Sequence, residues 1–171
     1  MKNLLGALSV TTALALTSTV ALAEVKVGAI FDLTGGLNIY GIQQDNALDL
    51  AIASVNAAGG VNGEEVVVVG YDAQSELSKY TQFAQTAVLR DGISAMFAGL
   101  TSSSREAIRP IFREANIPYF YASLYEGGAC DRQTFVTGSS ASQQLNVLME
   151  WAVENYGPRV YIMAPDYNFG T

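Results

Sequence analysis

From Val25 onward the chain alternates two kinds of apolar pattern. Short, mainly apolar runs stand at Val25–Phe31 (VKVGAIF), Val66–Tyr71 (VVVVGY), Ile93–Ala98 (ISAMFA) and Pro118–Ser123 (PYFYAS). Short runs of this kind, bounded by turn residues, predict buried strands. The second shows no polar alternation, the mark of a strand covered on both faces. Between the runs, apolar residues recur every three or four positions. Leu48, Ala51, Ile52 and Val55 predict a helix over 41–56. Tyr80, Phe83, Ala84, Ala87 and Val88 predict a second, ended by Asp91-Gly92. Ala107, Ile108, Ile111, Phe112 and Ala115 predict a third. Ser103-Ser104-Arg105-Glu106 reads as its capping box, and Asn116 and Pro118 stop it. The Gly/Asn-rich stretch 57–64 is a turn region.

The order β-α-β-α-β-α-β predicts an α/β fold, a doubly wound parallel sheet. Ligands of such sheets sit beyond the carboxyl ends of the strands. Here those ends are the loops after Phe31, Tyr71, Gly99 and Tyr121. Beyond Tyr125 the pattern changes. A loop over 126–132 leads to a short strand at Thr134–Thr137 and a helix over Gln143–Tyr156, with Leu145, Leu148, Met149, Ala152 and Val153 inward. Arg159–Ala164 (RVYIMA) reads as a further strand. The last residues, 166–171, read as a strand-to-helix loop without its helix, so the chain is expected to be a C-terminally truncated fragment.

Composition narrows the chemistry. The 171 residues contain one Cys and no His. A Ser-His-Asp or Cys-His nucleophile and a His-ligated zinc site are therefore excluded within this sequence, as is an internal disulfide. A net charge of −7 disfavours nucleic-acid binding. No cofactor or metal is expected. Lys2, the uncharged stretch Leu4–Leu22 and the small-x-small end Ala21-Leu22-Ala23 form a cleavable export signal over 1–23. The competing reading is a membrane anchor, since the stretch nears the spanning minimum. No Cys follows the cleavage point to carry a lipid. Cys130 is then an odd cysteine in an exported protein, expected to be a buried thiol or to pair with a cysteine outside this sequence.

Candidate site residues cluster at the strand ends. Leu100-Thr101-Ser102-Ser103 precedes the third helix, whose first N–H groups and positive dipole end suit a carboxylate or a polarised carbonyl. Ser102 either faces such a ligand or only caps the helix. Tyr121 and Ser123, two apart, can point the same way along their strand. Tyr121 offers a flat ring and a hydroxyl to a small planar ligand, or it is an ordinary strand-end aromatic. Glu126 is either a surface charge or a brace for its loop. Asp32 and Asp72 end the first two strands, but no nucleophile or metal partner accompanies them for acid–base chemistry. Gly35-Gly36 lacks the dinucleotide spacing, and there is no phosphate-binding loop or nucleophile elbow.

Several segments in order carry a family resemblance. They are VKVGAIFDLTGGLNIYG, DLAIASVNAAGGVNG, VVVVGYDAQS, AGLTSSSREAIRPIF, IPYFYASLYEGGAC and RVYIMAPDYNFG. Together with the export signal they resemble a type I periplasmic solute-binding protein of the branched-chain amino acid/amide ABC-transporter group. The SREAIRPIF helix and the YxxxYEG segment (Tyr121 to Gly127) look most like the urea and short-chain amide binders. The resemblance implies two lobes, with 24–137 as the first and 138–171 as the start of the second. It implies a periplasmic binder, not an enzyme, that closes on a small polar solute and docks on ABC permease subunits. The solute would be urea, a short amide or a branched-chain-type amino acid. It also implies ligand contacts at Ser102, Thr101, Leu100, Tyr121 and Ser123, with Tyr167 and Phe169 closing from the second lobe. Leu100 and Phe169 depart from aromatics often found at these positions in amide binders. The alternatives are a ligand-sensing receptor module of the same fold and, against the missing His, an extracytoplasmic hydrolase.

Overall fold

The computed structural model describes residues 24–170, so the export signal read over 1–23 lies outside the described residues. The elements are β1 (Glu24–Phe31), α1 (Asn38–Ala57), β2 (Glu65–Asp72), α2 (Leu77–Thr86), β3 (Ala95–Ala98), α3 (Ser102–Ala115), β4 (Tyr119–Tyr121), β5 (Thr134–Val136) and α4 (Ala141–Tyr156). A π-helical turn, Ala87–Asp91, ends α2 and hands the chain to left-handed Gly92. Every strand pairing is parallel and the sheet order is β2-β1-β3-β4-β5. The expected doubly wound α/β sheet is therefore present.

Strand order reverses between β1 and β3, which places α1 on one face of the sheet and α2 and α3 on the other. The α2/α3 face is well filled. Tyr80, Ala84 and Ala87 pack with Ile108 and Phe112 over Ile30, Met96, Tyr119 and Tyr121, each at most 5% exposed. The α1 face is smaller, built on Ala29, Phe31 and Leu48. Beyond α1, the rings of Phe97, Phe120 and Phe135 stack across β3, β4 and β5 at 5.0 and 5.1 Å. β2 lies at the sheet edge and is mostly half-buried, so its unbroken apolar run does not mark a central strand.

Four expectations are corrected. Helix α3 is capped by Thr101, not Ser103: Thr101 Oγ1 accepts from Ser104 N (3.1 Å) and Ser104 Oγ accepts from Thr101 N (3.2 Å). The capping-box chemistry is as expected but falls two residues earlier, because Gly99, with a φ of 86°, turns the chain into an extended Thr101. Residues 159–164 form no strand. A strand needs a neighbour for its backbone groups, and among the described residues none lies beside this segment, where Tyr161 and Met163 are 92% and 90% exposed. Helix α4 forms, but no residue of it is buried. Leu145, Leu148, Met149 and Val153 are exposed, since no described element covers that face. Of the two expectations for Cys130, the buried thiol is not met: its side chain is exposed in the β4–β5 connection and pairs with no cysteine among the described residues. No helix among the described residues is long and apolar enough to cross a membrane.

Candidate functional site

The site is built at the carboxyl edge of the sheet, around the reversal between β1 and β3, where a doubly wound sheet opens a crevice. The two acids at this edge are structural. Buried Asp32 accepts from Ser75 N (2.7 Å) and from the Tyr80 hydroxyl (2.9 Å). Asp72 accepts from Leu33 N, Thr34 N, the Thr34 hydroxyl and Gln74 N at 2.6–3.1 Å. Burial works to raise the Asp72 carboxyl. The hydrogen bonds from Thr34, Gln74 and Leu33 outweigh it and hold the group below the usual carboxylate range. Both side chains brace the β1 and β2 loops.

Next to them, the β3–α3 turn is tied into the core. Gly99 N donates to Ile30 O (3.2 Å), and a Cβ on Gly99 would stand 2.9 Å from the Tyr119 hydroxyl. Ser102 is 1% exposed and its hydroxyl donates to Glu126 Oε2 (2.9 Å). Tyr121 is also 1% exposed and its hydroxyl donates to Leu100 O (2.8 Å). β4 ends at Tyr121, whose ring is buried in the α2/α3 core, and Ser123 lies in the loop that follows, its side chain within hydrogen-bond reach of Tyr121.

Ser123 and Leu100 line a concavity of about 460 Å³, with Tyr40, Gln43, Gln44, Ala122, Leu124 and Thr137–Ser139 completing the wall. None of these side chains carries a formal charge at neutral pH. Gln44 Oε1 is buried without a hydrogen-bond partner, and its Nε2 donates to Gly99 O at 3.4 Å. Thr101 faces a separate small cavity of about 100 Å³ beside Asp32, Ser75 and Tyr80. Tyr167 and Phe169 stand in the 166–170 segment, 36% and 39% exposed with rings 6.3 Å apart. Neither lines the concavity, although Asn168 between them lies 3.5 Å from the Ser103 hydroxyl.

Sequence reasoning missed a charged cluster beside this site, which lines a separate concavity of about 430 Å³ with Gly127, Gly128 and Asn168. Arg105 is 1% exposed. Its guanidinium donates to both Glu126 oxygens (3.0 and 2.5 Å) and to Glu106 Oε1 (3.0 Å). It also lies over the rings of Tyr121 and Tyr125, 5.0 and 5.1 Å from their centroids. Burial works against both charges, but the pairing outweighs it: Glu126 titrates below the usual glutamate range and Arg105 above the usual arginine one. One turn on, Arg109 bridges Glu106 (2.6 Å) and Asp131 (2.7 Å). The available signal was spacing. Arg105 sits at the head of the stripe 105-108-112, the face that buries Ile108 and Phe112. Tyr40, Gln43 and Gln44, on the first turns of α1, gave no comparable signal.

Comparison with known proteins places this geometry. Residues 24–171 match the periplasmic binding protein family. A Leu/Ile/Val-binding protein homolog 8 of Brucella abortus is 38% identical over 109 residues, covering 62% of this chain and 27% of the relative. A homolog 7 of the same species is 30% identical over 112 residues, covering 66% and 28%. The chain thus spans about a quarter of the length of these curated relatives. Among solved structures, the branched-chain amino acid transporter substrate binding protein LivJ of Streptococcus pneumoniae, in complex with isoleucine, superposes with a TM-score of 0.70 at 25% identity. That likeness covers 78% of this chain and 39% of LivJ. A leucine binding protein LivK of Thermotoga maritima gives 0.67 at 25%, covering 78% and 38%. The relatives named here are solute-binding proteins, not enzymes. With a match that begins at the first residue of β1 and runs through all the described elements, the chain belongs to the periplasmic binding protein family.

Proposed function

We propose that this chain supplies the first lobe of a substrate-binding protein of a branched-chain amino acid type ABC transporter. Residues 24–137 form that lobe, 138–171 open the second, and 1–23 direct export to the periplasm. The observation that carries the reading is the uncharged concavity at the strand-order reversal, walled by Leu100 and Ser123. Such a wall suits one side of a small solute with an apolar body, the second lobe closing over the other side by hinge motion. The placement of β5 in the sheet and of α4 outside it supports a lobe boundary just after β5.

The leading ligand class is a branched-chain-type amino acid, as the names of the relatives suggest. The Ser123 hydroxyl and the first-turn amides of α3 are its proposed polar contacts on this lobe. Ser102 and Tyr121, whose hydroxyls are engaged by Glu126 and Leu100 O, support the wall from behind. Tyr167 and Phe169 are proposed to close from the second lobe, and the closed form delivers its solute to membrane permease subunits. A second reading, urea or a short amide, is favoured by the absence of any charged side chain in the lining. An amino acid would have to find a carboxylate for its ammonium group elsewhere. Calorimetric titration of the intact protein with isoleucine, leucine, urea and acetamide tests both. Saturable binding of the first pair supports the amino acid reading and of the second pair the amide reading. Silence toward all four sinks the proposal.

A further inference from the structure

Arg105 is, among the described residues, the one buried cation, and it does more than fill space. A hydrophobic side chain of similar volume could occupy the slot between the Tyr121 and Tyr125 rings, and replacing a buried ion pair in that way is often neutral or stabilising. What the guanidinium adds is direction. Its planar fork fixes the Glu126 carboxylate through two hydrogen bonds (3.0 and 2.5 Å), and Glu126 Oε2 also receives the Ser102 hydroxyl (2.9 Å). The same guanidinium is held over a ring from β4 and a ring from the β4–β5 connection. Tyr121 in turn reaches across to Leu100 O (2.8 Å). Both walls of the concavity, Leu100 on one side and Ser123 on the other, therefore sit within two residues of groups held by this cluster.

We infer that Arg105 is a positioning residue for the solute site: its guanidinium locks the first turn of α3 to the β4–β5 connection through Glu126 and thereby sets the spacing of the walls at Leu100 and Ser123. This rests on the reading of the concavity as a solute site. It also separates the cluster from its neighbour. Arg109, one turn farther from the crevice, pins the far end of the same connection through Asp131 (2.7 Å) but touches neither wall. Preorganised walls bind more tightly than walls that must be ordered on binding.

The test compares Arg105→Lys with Arg109→Lys in the intact protein. Both keep the charge and lose the fork. Glu126→Gln, which keeps the shape of the acceptor, is the milder partner should Arg105→Lys fold poorly. Hydrogen exchange at the amides of 102–104 and 122–124 reads the clamp without any ligand, and titration with isoleucine, leucine, urea and acetamide reads the site. The expected result is about tenfold faster exchange at those amides and about tenfold weaker binding of whichever probe the wild type takes, for Arg105→Lys and Glu126→Gln. Arg109→Lys should leave both within about twofold. Wild-type exchange and affinity in Arg105→Lys, or equal effects from Arg109→Lys, would overturn the inference. A wild type that binds none of the four probes refutes the solute reading, while the exchange comparison still decides the clamp.

Discussion

Gly138, two residues past β5, is the point where the crevice tolerates least. A Cβ added there would lie 1.7 Å from Ser123 O and 2.5 Å from the Ser123 carbonyl carbon. Both neighbours are backbone, so no side chain can swing aside. Bringing the contact out to about 3 Å, the shortest a close-packed carbon and oxygen tolerate, moves the 137–139 backbone by more than about 1 Å. Three hydrogen bonds flank the contact: Thr137 N to Tyr121 O (3.0 Å), Tyr125 N to Ser139 O (3.1 Å) and Ala141 N to Tyr125 O (3.2 Å). Losing two of them costs about 2 kcal/mol, and overpacking adds about 1–3 kcal/mol. Gly138→Ala should therefore destabilise the protein by about 3–5 kcal/mol and, on the proposed reading of the concavity that Thr137–Ser139 line, weaken solute binding. Gly70→Ala is the control, because a Cβ there meets nothing within 4 Å, and it should stay within about 0.5 kcal/mol. Denaturant unfolding followed by circular dichroism measures both. A Gly138→Ala loss below about 1 kcal/mol would show that the 137–139 segment yields freely and that the close approach to Ser123 constrains nothing.

Two further outcomes follow from the same edge of the sheet. Thr101→Ala removes the acceptor for Ser104 N and should cost about 0.5–2 kcal/mol in denaturant unfolding, whereas Ser103→Ala, whose hydroxyl takes no part in the cap, should cost less than half as much. Glu126 gives a pH dependence. Burial works to raise its carboxyl, but Arg105 and Ser102 hold it below its ordinary value, so its contribution is fully present above pH ~4.5 and is lost as pH falls through the lower folded value. The difference in melting temperature between wild type and Glu126→Gln should be constant from pH 7 to pH 5 and shrink below about pH 4. A difference that grows on acidification would show that Glu126 is not held as its pairing implies.

Legibility in the sequence followed how local the determining interactions are. Strands and helices of the lobe were readable because VKVGAIF or the 108-111-112 spacing records burial by one short segment alone. The edge position of β2 was not, because membership of an edge depends on what else pairs, and a run of four valines reads alike in the middle and at the margin. The bare α4 face and the unpaired 159–164 segment failed for the same reason: an apolar pattern does not say whether a neighbour is at hand, and among the described residues none covers either.

The site was half legible for a subtler reason. The topology directed attention to the loops after β1, β2, β3 and β4, and Leu100 and Ser123 do meet there. A hydroxyl, however, bonds whichever acceptor the fold brings within reach, and sequence spacing does not say which. Ser102 is positioned at a helix start, as a ligand-contacting serine would be, yet its acceptor is a carboxylate 24 residues away. Tyr121 spends its hydroxyl on Leu100 O, 21 residues back. Glu126 was open between surface charge and brace, and only the arrival of Arg105 from α3 decides for the brace. Ser102, Tyr121 and Glu126, visible in the sequence, are thus bonded within the protein, whereas Ser123, equally visible, lines the concavity. Gln43, Gln44 and Thr137–Ser139 share that lining but gave no signal, because uncharged side chains brought together from α1 and the β5–α4 connection form no motif along the chain.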